Sequence, residues 1–270
     1  MDKEDVMSKI AFFDIDGTLY GFDGKEHKIP KSTQLALKKF RENGNLAFIC
    51  TGRPMRFIYQ IFGENMFDGY ISANGTHIVY KGECIFNKTI DINTLKELIK
   101  SFDELGIRSS FAGPYNGYSY KMKSEEIEHY NSQFNKTDYL ITKWKIEDVS
   151  ANTIDIFYKD KIQLDECKSY FQNSLIFNPH GPHMSADVSF KDFDKSDGIK
   201  YVVKALNIPI EDTIAVGDGH NDITMLKTVN TGIAMGNAVE ELKNIASYVT
   251  ENIFDDGLYK AMVAYEFIDK

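Results

Sequence analysis

The chain predicts an α/β fold in which a core built on a parallel sheet carries an inserted α+β lobe. Two observations predict it. At both ends of the 270-residue chain short apolar strands alternate with amphipathic helices, the rhythm of parallel pairing through crossovers. Between about residues 83 and 188 the texture changes to amphipathic helices mixed with strands in which apolar and polar residues alternate, the pattern of a sheet with one exposed face. The expected division is residues 1–82 and 189–270 for the core and 83–188 for the insertion.

The elements follow in order. The apolar run Ile10-Ala11-Phe12-Phe13 reads as a buried strand continuing to Ile15. A helix over Ser32 to Asn43 is ended by Gly44 and followed by the strand Leu46 to Cys50. A helix from about Met55 to Phe62 leads to a strand over Tyr70 to Ala73 and a turn at Asn74-Gly75. In the insertion, Leu95, Leu98, Ile99, Phe102 and Leu105 make a helical stripe, while Ile154-Asp155-Ile156-Phe157-Tyr158 alternates as a strand. After Lys195 the core resumes with a helix through Ile199, Val202, Val203 and Leu206. A strand over Thr213 to Val216, a short helix at Met225 and Leu226, and a strand over Thr231 to Met235 complete it.

Composition narrows the function. With 43% hydrophobic residues the chain can fill two cores, and its net charge of -9 argues against a nucleic-acid partner, which needs a basic face. Three widely spaced cysteines without a C-x-x-C pair suggest neither a disulfide framework nor a zinc site, and a reducing cytoplasm fits best. No apolar run approaches the roughly 18 residues of a membrane span, so no membrane partner is expected. The start lacks a signal-peptide pattern, and residues 1–6, ahead of Met7, read as a mobile tail. The sequons at Asn74, Asn87 and Asn135 are accordingly read as chance.

Four motifs carry the chemistry. Asp14-Ile15-Asp16-Gly17-Thr18 places two carboxylates at the carboxyl end of the first strand, where open α/β sheets bind ligands. It is either a turn with solvated acids or, with a cation to offset the repulsion, a metal-assisted nucleophile. Thr51-Gly52-Arg53 follows another strand and could hold an anion, or could be an ordinary strand-to-helix turn. Lys195 lies at a helix amino end, the unfavourable end for a cation unless an anion joins it, though a solvated lysine is the plainer reading. Gly217-Asp218-Gly219-His220-Asn221-Asp222 lacks the third glycine of a dinucleotide fingerprint. Its acids would complete an oxygen-rich site suited to Mg²⁺, or cap a helix in water.

In this order the motifs resemble the haloacid dehalogenase-like phosphohydrolases, whose core is Rossmann-like. The large insertion, with Ala73-Asn74-Gly75, Met235-Gly236-Asn237-Ala238 and Asp256-Gly257, resembles the Cof-type branch (subclass IIB), in which the inserted lobe is a cap domain. The resemblance implies Asp14 as nucleophile and Asp16 as general acid. Thr51 and Lys195 would hold phosphoryl oxygens, with Gly17, Thr18, Gly52 and Asn221 around the phosphate. Mg²⁺ would lie on Asp14, the backbone carbonyl of Asp16 and Asp218, with Asp222 in support. It further implies a small phosphorylated substrate, a sugar phosphate foremost, and a monomer or weak homodimer. A phosphomutase and a non-catalytic binding protein are the alternatives. In the cap, Pro179 to Met184 reads as a loop facing the cleft, with His180 and His183 as candidate substrate contacts.

Overall fold

The computed structural model describes residues 8–132, 138–181 and 183–270. The expectations for the N-terminal tail, the Asn135 sequon and Pro182 lie outside these residues.

The core is an eight-stranded sheet in the order Tyr248–Val249, Thr231–Ala234, Thr213–Gly217, Ile10–Phe13, Leu46–Cys50, Gly69–Ser72, His77–Tyr80, Glu83–Asn87. The first six are mutually parallel and the last two antiparallel. Every residue of Ile10–Phe13 and Thr213–Gly217 is buried, as continuous apolar runs covered on both faces must be. One apolar layer lies on each side. On one, Phe13, Ile15 and Ile49 meet Leu37 and Phe40 of the helix Lys31–Glu42. On the other, Phe12, Phe48 and Ile71 meet Ile199 and Val202 of the helix Lys195–Ala205.

The expected parallel rhythm ends at Ser72. Only the short helical turn Ala73–Gly75 separates that strand from His77–Tyr80, too little chain for a crossover, so the two pair antiparallel. A second hairpin follows at Lys81 and Gly82, both at positive φ (48° and 82°). The chain therefore leaves the eight-stranded sheet after Asn87. It leaves the second sheet after Phe190.

That second sheet has six strands in the order Leu140–Ile141, Gly117–Tyr120, Arg108–Ala112, Thr153–Phe157, Ser185–Phe190, Leu175–Pro179. Its alternation sorts the two faces. Ile154, Ile156, Ala186 and Val188 pack with Leu95, Leu98 and Phe102 of the helix Ile92–Leu105 and with Leu164 and Cys167 of Lys161–Tyr170. The intervening residues face a cleft of about 980 Å³ between the two sheets' lobes.

Candidate active site

Three neighbouring parallel strands deliver side chains to one edge of the core. Asp14 and Asp16 follow Ile10–Phe13, Thr51 follows Leu46–Cys50, and Asp218 follows Thr213–Gly217. The Asp14 amide extends the ladder by donating to the Val216 carbonyl at 3.0 Å. Lys195 opens its helix, and Asp194 caps that helix by accepting from the Ser196 amide at 2.7 Å. Instead of entering solvent, the Lys195 side chain is 1% exposed, with Nζ 2.6 Å from Asp14 Oδ1 and 2.7 Å from Asp222 Oδ1.

Asp222 is fully buried, and its other oxygen accepts from the amides of Asp218 and Gly219, both at 2.9 Å. This acid orients the Asp218 loop and Lys195 together. Thr18 donates to Asp218 Oδ1 at 3.2 Å, so its hydroxyl lies behind the acid and not in the cleft. Gly17 adopts φ +82°, and a Cβ there would stand 2.1 Å from Asp218 Oδ2, which excludes any side chain. Asn237, just past Thr231–Ala234, donates to the Gly17 carbonyl (2.9 Å) and to Asp218 (3.3 Å) and accepts from the Ile253 amide (3.0 Å).

One oxygen each from Asp14, Asp218 and Asp222 lies within 4.8 Å of the others. Three carboxyls thus face one ammonium. Burial, with Asp222 adding repulsion, pushes the Asp14 carboxyl up to about 8 despite Lys195. The same two causes push Asp218 up to about 7. Burial works against the Lys195 ammonium, but Asp14 and Asp222 outweigh it and hold it above its ordinary value. A deficit of positive charge among hard oxygen donors fits a divalent cation such as Mg²⁺.

Asp16 stands apart from this trio. Its carboxylate is 51% exposed and clamped by Arg53, Nε to Oδ2 at 2.6 Å and Nη2 to Oδ1 at 2.8 Å. The guanidinium lies 3.7 Å from the Phe57 ring centre, which fixes its plane. Thr51 is buried and its Oγ1 accepts from the Arg53 amide at 3.2 Å. Gly52 packs against Asn74, where a Cβ would lie 3.0 Å from Oδ1. Thr51, Gly52 and Asn221 line the cleft with Asp14, Asp16 and Asp218.

His180 and His183 line the cleft from the other lobe. His180 Nε2 is 2.8 Å from Asp187 Oδ1 and Nδ1 is 2.9 Å from Ser185 Oγ. Asp187 raises this imidazole above the ordinary histidine value, against burial. Sequence reasoning passed over four residues of this arrangement. Arg53 and Asn237 lie within the motifs Thr51-Gly52-Arg53 and Met235-Gly236-Asn237-Ala238, but their partners, Asp16 and the Gly17–Asp218 pair, are distant in sequence and leave no local signal. Asp155 and Asp187 sit at the polar positions of alternating strands, yet their proximity depends on strand register, which no local pattern reports.

Comparison with known proteins agrees with this geometry. Residues 11–262 match the family model of haloacid dehalogenase-like hydrolases. YkrA of Bacillus subtilis (strain 168), whose name carries a provisional phosphatase assignment, is 34% identical over 269 residues, covering 94% of this chain and 96% of its own. Phosphatase YwpJ of the same organism is 27% identical over 274 residues, 90% of this chain and 94% of its own. Among solved structures, the subclass IIB sugar phosphatase BT4131 superposes with a TM-score of 0.79 at 30% identity, covering 97% of this chain and all of the other. A protein of Geobacillus kaustophilus HTA426 gives 0.84 at 26%, with the same coverage. Fold and site together define the class, and the chain belongs to the haloacid dehalogenase-like hydrolases. The curated relatives YkrA and YwpJ carry phosphatase names, and its insertion is the cap.

Proposed function

We propose that the protein is a Mg²⁺-dependent phosphatase of small phosphorylated metabolites, sugar phosphates foremost, working through an aspartyl-phosphate on Asp14. The observation that carries this reading is the buried Lys195 ammonium joining Asp14 to Asp222 beside Asp218. A nucleophile, a phosphoryl-oxygen clamp and a cation site then meet at one sheet edge. Phosphoryl transfer needs such positioning and charge neutralisation more than elaborate covalent chemistry.

Asp14 attacks phosphorus as the bond to the leaving oxygen breaks, and Asp16 gives that oxygen a proton. Arg53 occupies both oxygens of Asp16 here, so donation requires Asp16 to turn away from it. Asp16 then takes a proton from water as the water oxygen attacks phosphorus and Asp14 is released. Thr51, Asn221 and Lys195 hold phosphoryl oxygens through these steps. Asp14 and Asp218, with the Asp16 carbonyl, would hold Mg²⁺, and Asp222 would support them. Bound there, Mg²⁺ supplies the positive charge that offsets the carboxylates and the phosphoryl oxygens. Unpaired Cys50, Cys84 and Cys167 suit a cytoplasmic setting, and among the described residues no helix is long and apolar enough to cross a membrane.

The reading is tested by screening sugar, nucleotide and cofactor monophosphates for phosphate release with Mg²⁺ and with excess chelator. Release that requires Mg²⁺ and is strongest on sugar phosphates is expected, and full activity in chelator would overturn the metal assignment.

A further inference from the structure

The cap side of the cleft holds a cluster that phosphoryl transfer does not use. Asp155 and Asp187 are direct cross-strand partners on Thr153–Phe157 and Ser185–Phe190, and both face the cleft. Their pairing in register brings the two carboxyls together at the cleft wall. The Tyr130 hydroxyl donates to Asp155 Oδ2. His180 holds Asp187 on its other side and is itself held by Ser185. Both carboxyls are therefore anchored on strands, as groups that must discriminate by position require, with Tyr130 on the helix Ser124–Ser132 and His180 just past Leu175–Pro179. Burial and Asp187 keep the Asp155 carboxyl well above the usual carboxylate range.

The cavity is also far larger than a phosphoryl group and falls at the upper end of metabolite-sized sites. We infer that the Asp155–Asp187 pair, braced by His180 and Tyr130, is the specificity-determining group for the leaving alcohol, selecting one rich in hydroxyls and free of a second anionic group. The inference rests on the phosphatase reading above. A hydroxyl donates as well as accepts, and the paired carboxyl oxygens at the cleft wall accept what it donates. An apolar leaving group would strand these polar atoms without partners, and a second phosphate or carboxylate would meet the Asp187 charge. Of the basic residues in the same wall, Arg108 is engaged by Glu126 at 2.7 Å. Lys123 and Lys159 also line it, which makes affinity for a second anion the outcome the experiment must exclude.

The experiment measures kcat and KM of the full chain with Mg²⁺ on a hexose monophosphate, a deoxyhexose monophosphate, a hexose bisphosphate and p-nitrophenyl phosphate. Asp155→Ala, Asp187→Ala and the corresponding Asn variants are compared with wild type. Wild type is expected to prefer the hexose monophosphate to the bisphosphate. In each Ala variant the ratio of kcat/KM for hexose monophosphate over the aryl phosphate should fall at least about tenfold, chiefly through KM, with partial recovery in Asp187→Asn. Melting curves establish folding, and where an Ala variant does not fold the Asn variant at that position carries the comparison. A ratio within about twofold of wild type in folded variants at both positions, or a wild-type preference for the bisphosphate, overturns the inference. Wild type inactive on every phosphate would overturn the phosphatase reading itself, and this one with it, before any variant is compared.

Discussion

The floor and the roof of the cleft each gather carboxyls around a basic side chain, by opposite means. On the floor, Asp14, Lys195, Asp218 and Asp222 come from strand ends and one helix start scattered over the whole chain, and a permanent ammonium binds them at 1% exposure. On the roof, Asp155 and Asp187 are neighbours in one sheet, braced by a His180 imidazole that is 40% exposed. Moving any floor group strands a buried charge. A roof residue can change without disturbing Ile154, Ile156, Ala186 or Val188 behind it, because alternation keeps the two faces separate. On the proposed reading, rigid chemistry and adjustable selection are thus placed on different structural devices.

The contrast predicts a graded series of losses. Asp14→Asn should fold and lose turnover by about a thousandfold or more on every phosphate, measured as steady-state kcat. Lys195→Ala should lose activity similarly and also about 3 kcal/mol of stability in urea unfolding, since Asp14 and Asp222 are left without their ammonium. A Lys195 variant as stable as wild type would mean that the buried acids find other relief. Next in size, Asp16→Asn should be crippled on alkyl phosphates and less so on an aryl phosphate whose leaving group needs little protonation. Equal loss on both would count against Asp16 as the acid. A smaller effect belongs to the roof: His180→Ala should reorder the substrate panel, and an unchanged ranking would move selection elsewhere in the cap.

The smallest effect concerns stability and compares two imidazoles. His77 is 2% exposed beside Ser72, and burial lowers it to about 4, below its unfolded value of about 6.5. The unfolded chain therefore binds the extra proton between these values. The contribution is present above about pH 6.5 and lost as pH falls toward 4, on the order of 2 kcal/mol. His180, raised by Asp187, has the opposite sign: its contribution is present below the unfolded value and lost as pH rises through the raised one. His77→Gln should flatten the fall in melting temperature between pH 7 and 5, whereas His180→Ala should make that limb steeper.

Much of the core was legible because its signals are local. Leu46–Cys50 and Met55–Phe62 have the limits their apolar patterns indicated, and Asp14, Thr51 and Asp218 announced themselves by following apolar runs. What stayed hidden depends on distant partners. The Lys81-Gly82 turn carries no local sign of which sheet the next strand joins, because a two-residue hairpin and an interdomain link share the same composition. The clamp of Arg53 on Asp16 needs the Leu46–Cys50 strand to lie beside Ile10–Phe13, and the Asp155–Asp187 pair needs a register set by the whole second sheet.

The central position of Ile10–Phe13 also sets an order of events at the ribosome. Ile10 pairs on one side with Leu46 and on the other with Thr213, about 200 residues later. At roughly 10 residues per second the strand waits on the order of 20 s for that second neighbour, its apolar edge open meanwhile. The six-stranded lobe, whose strands all lie between Arg108 and Phe190, can close during the same interval. The nascent chain is therefore most vulnerable to wrong pairing before its last quarter emerges, and the residues that complete the sheet also deliver Asp218 to its site.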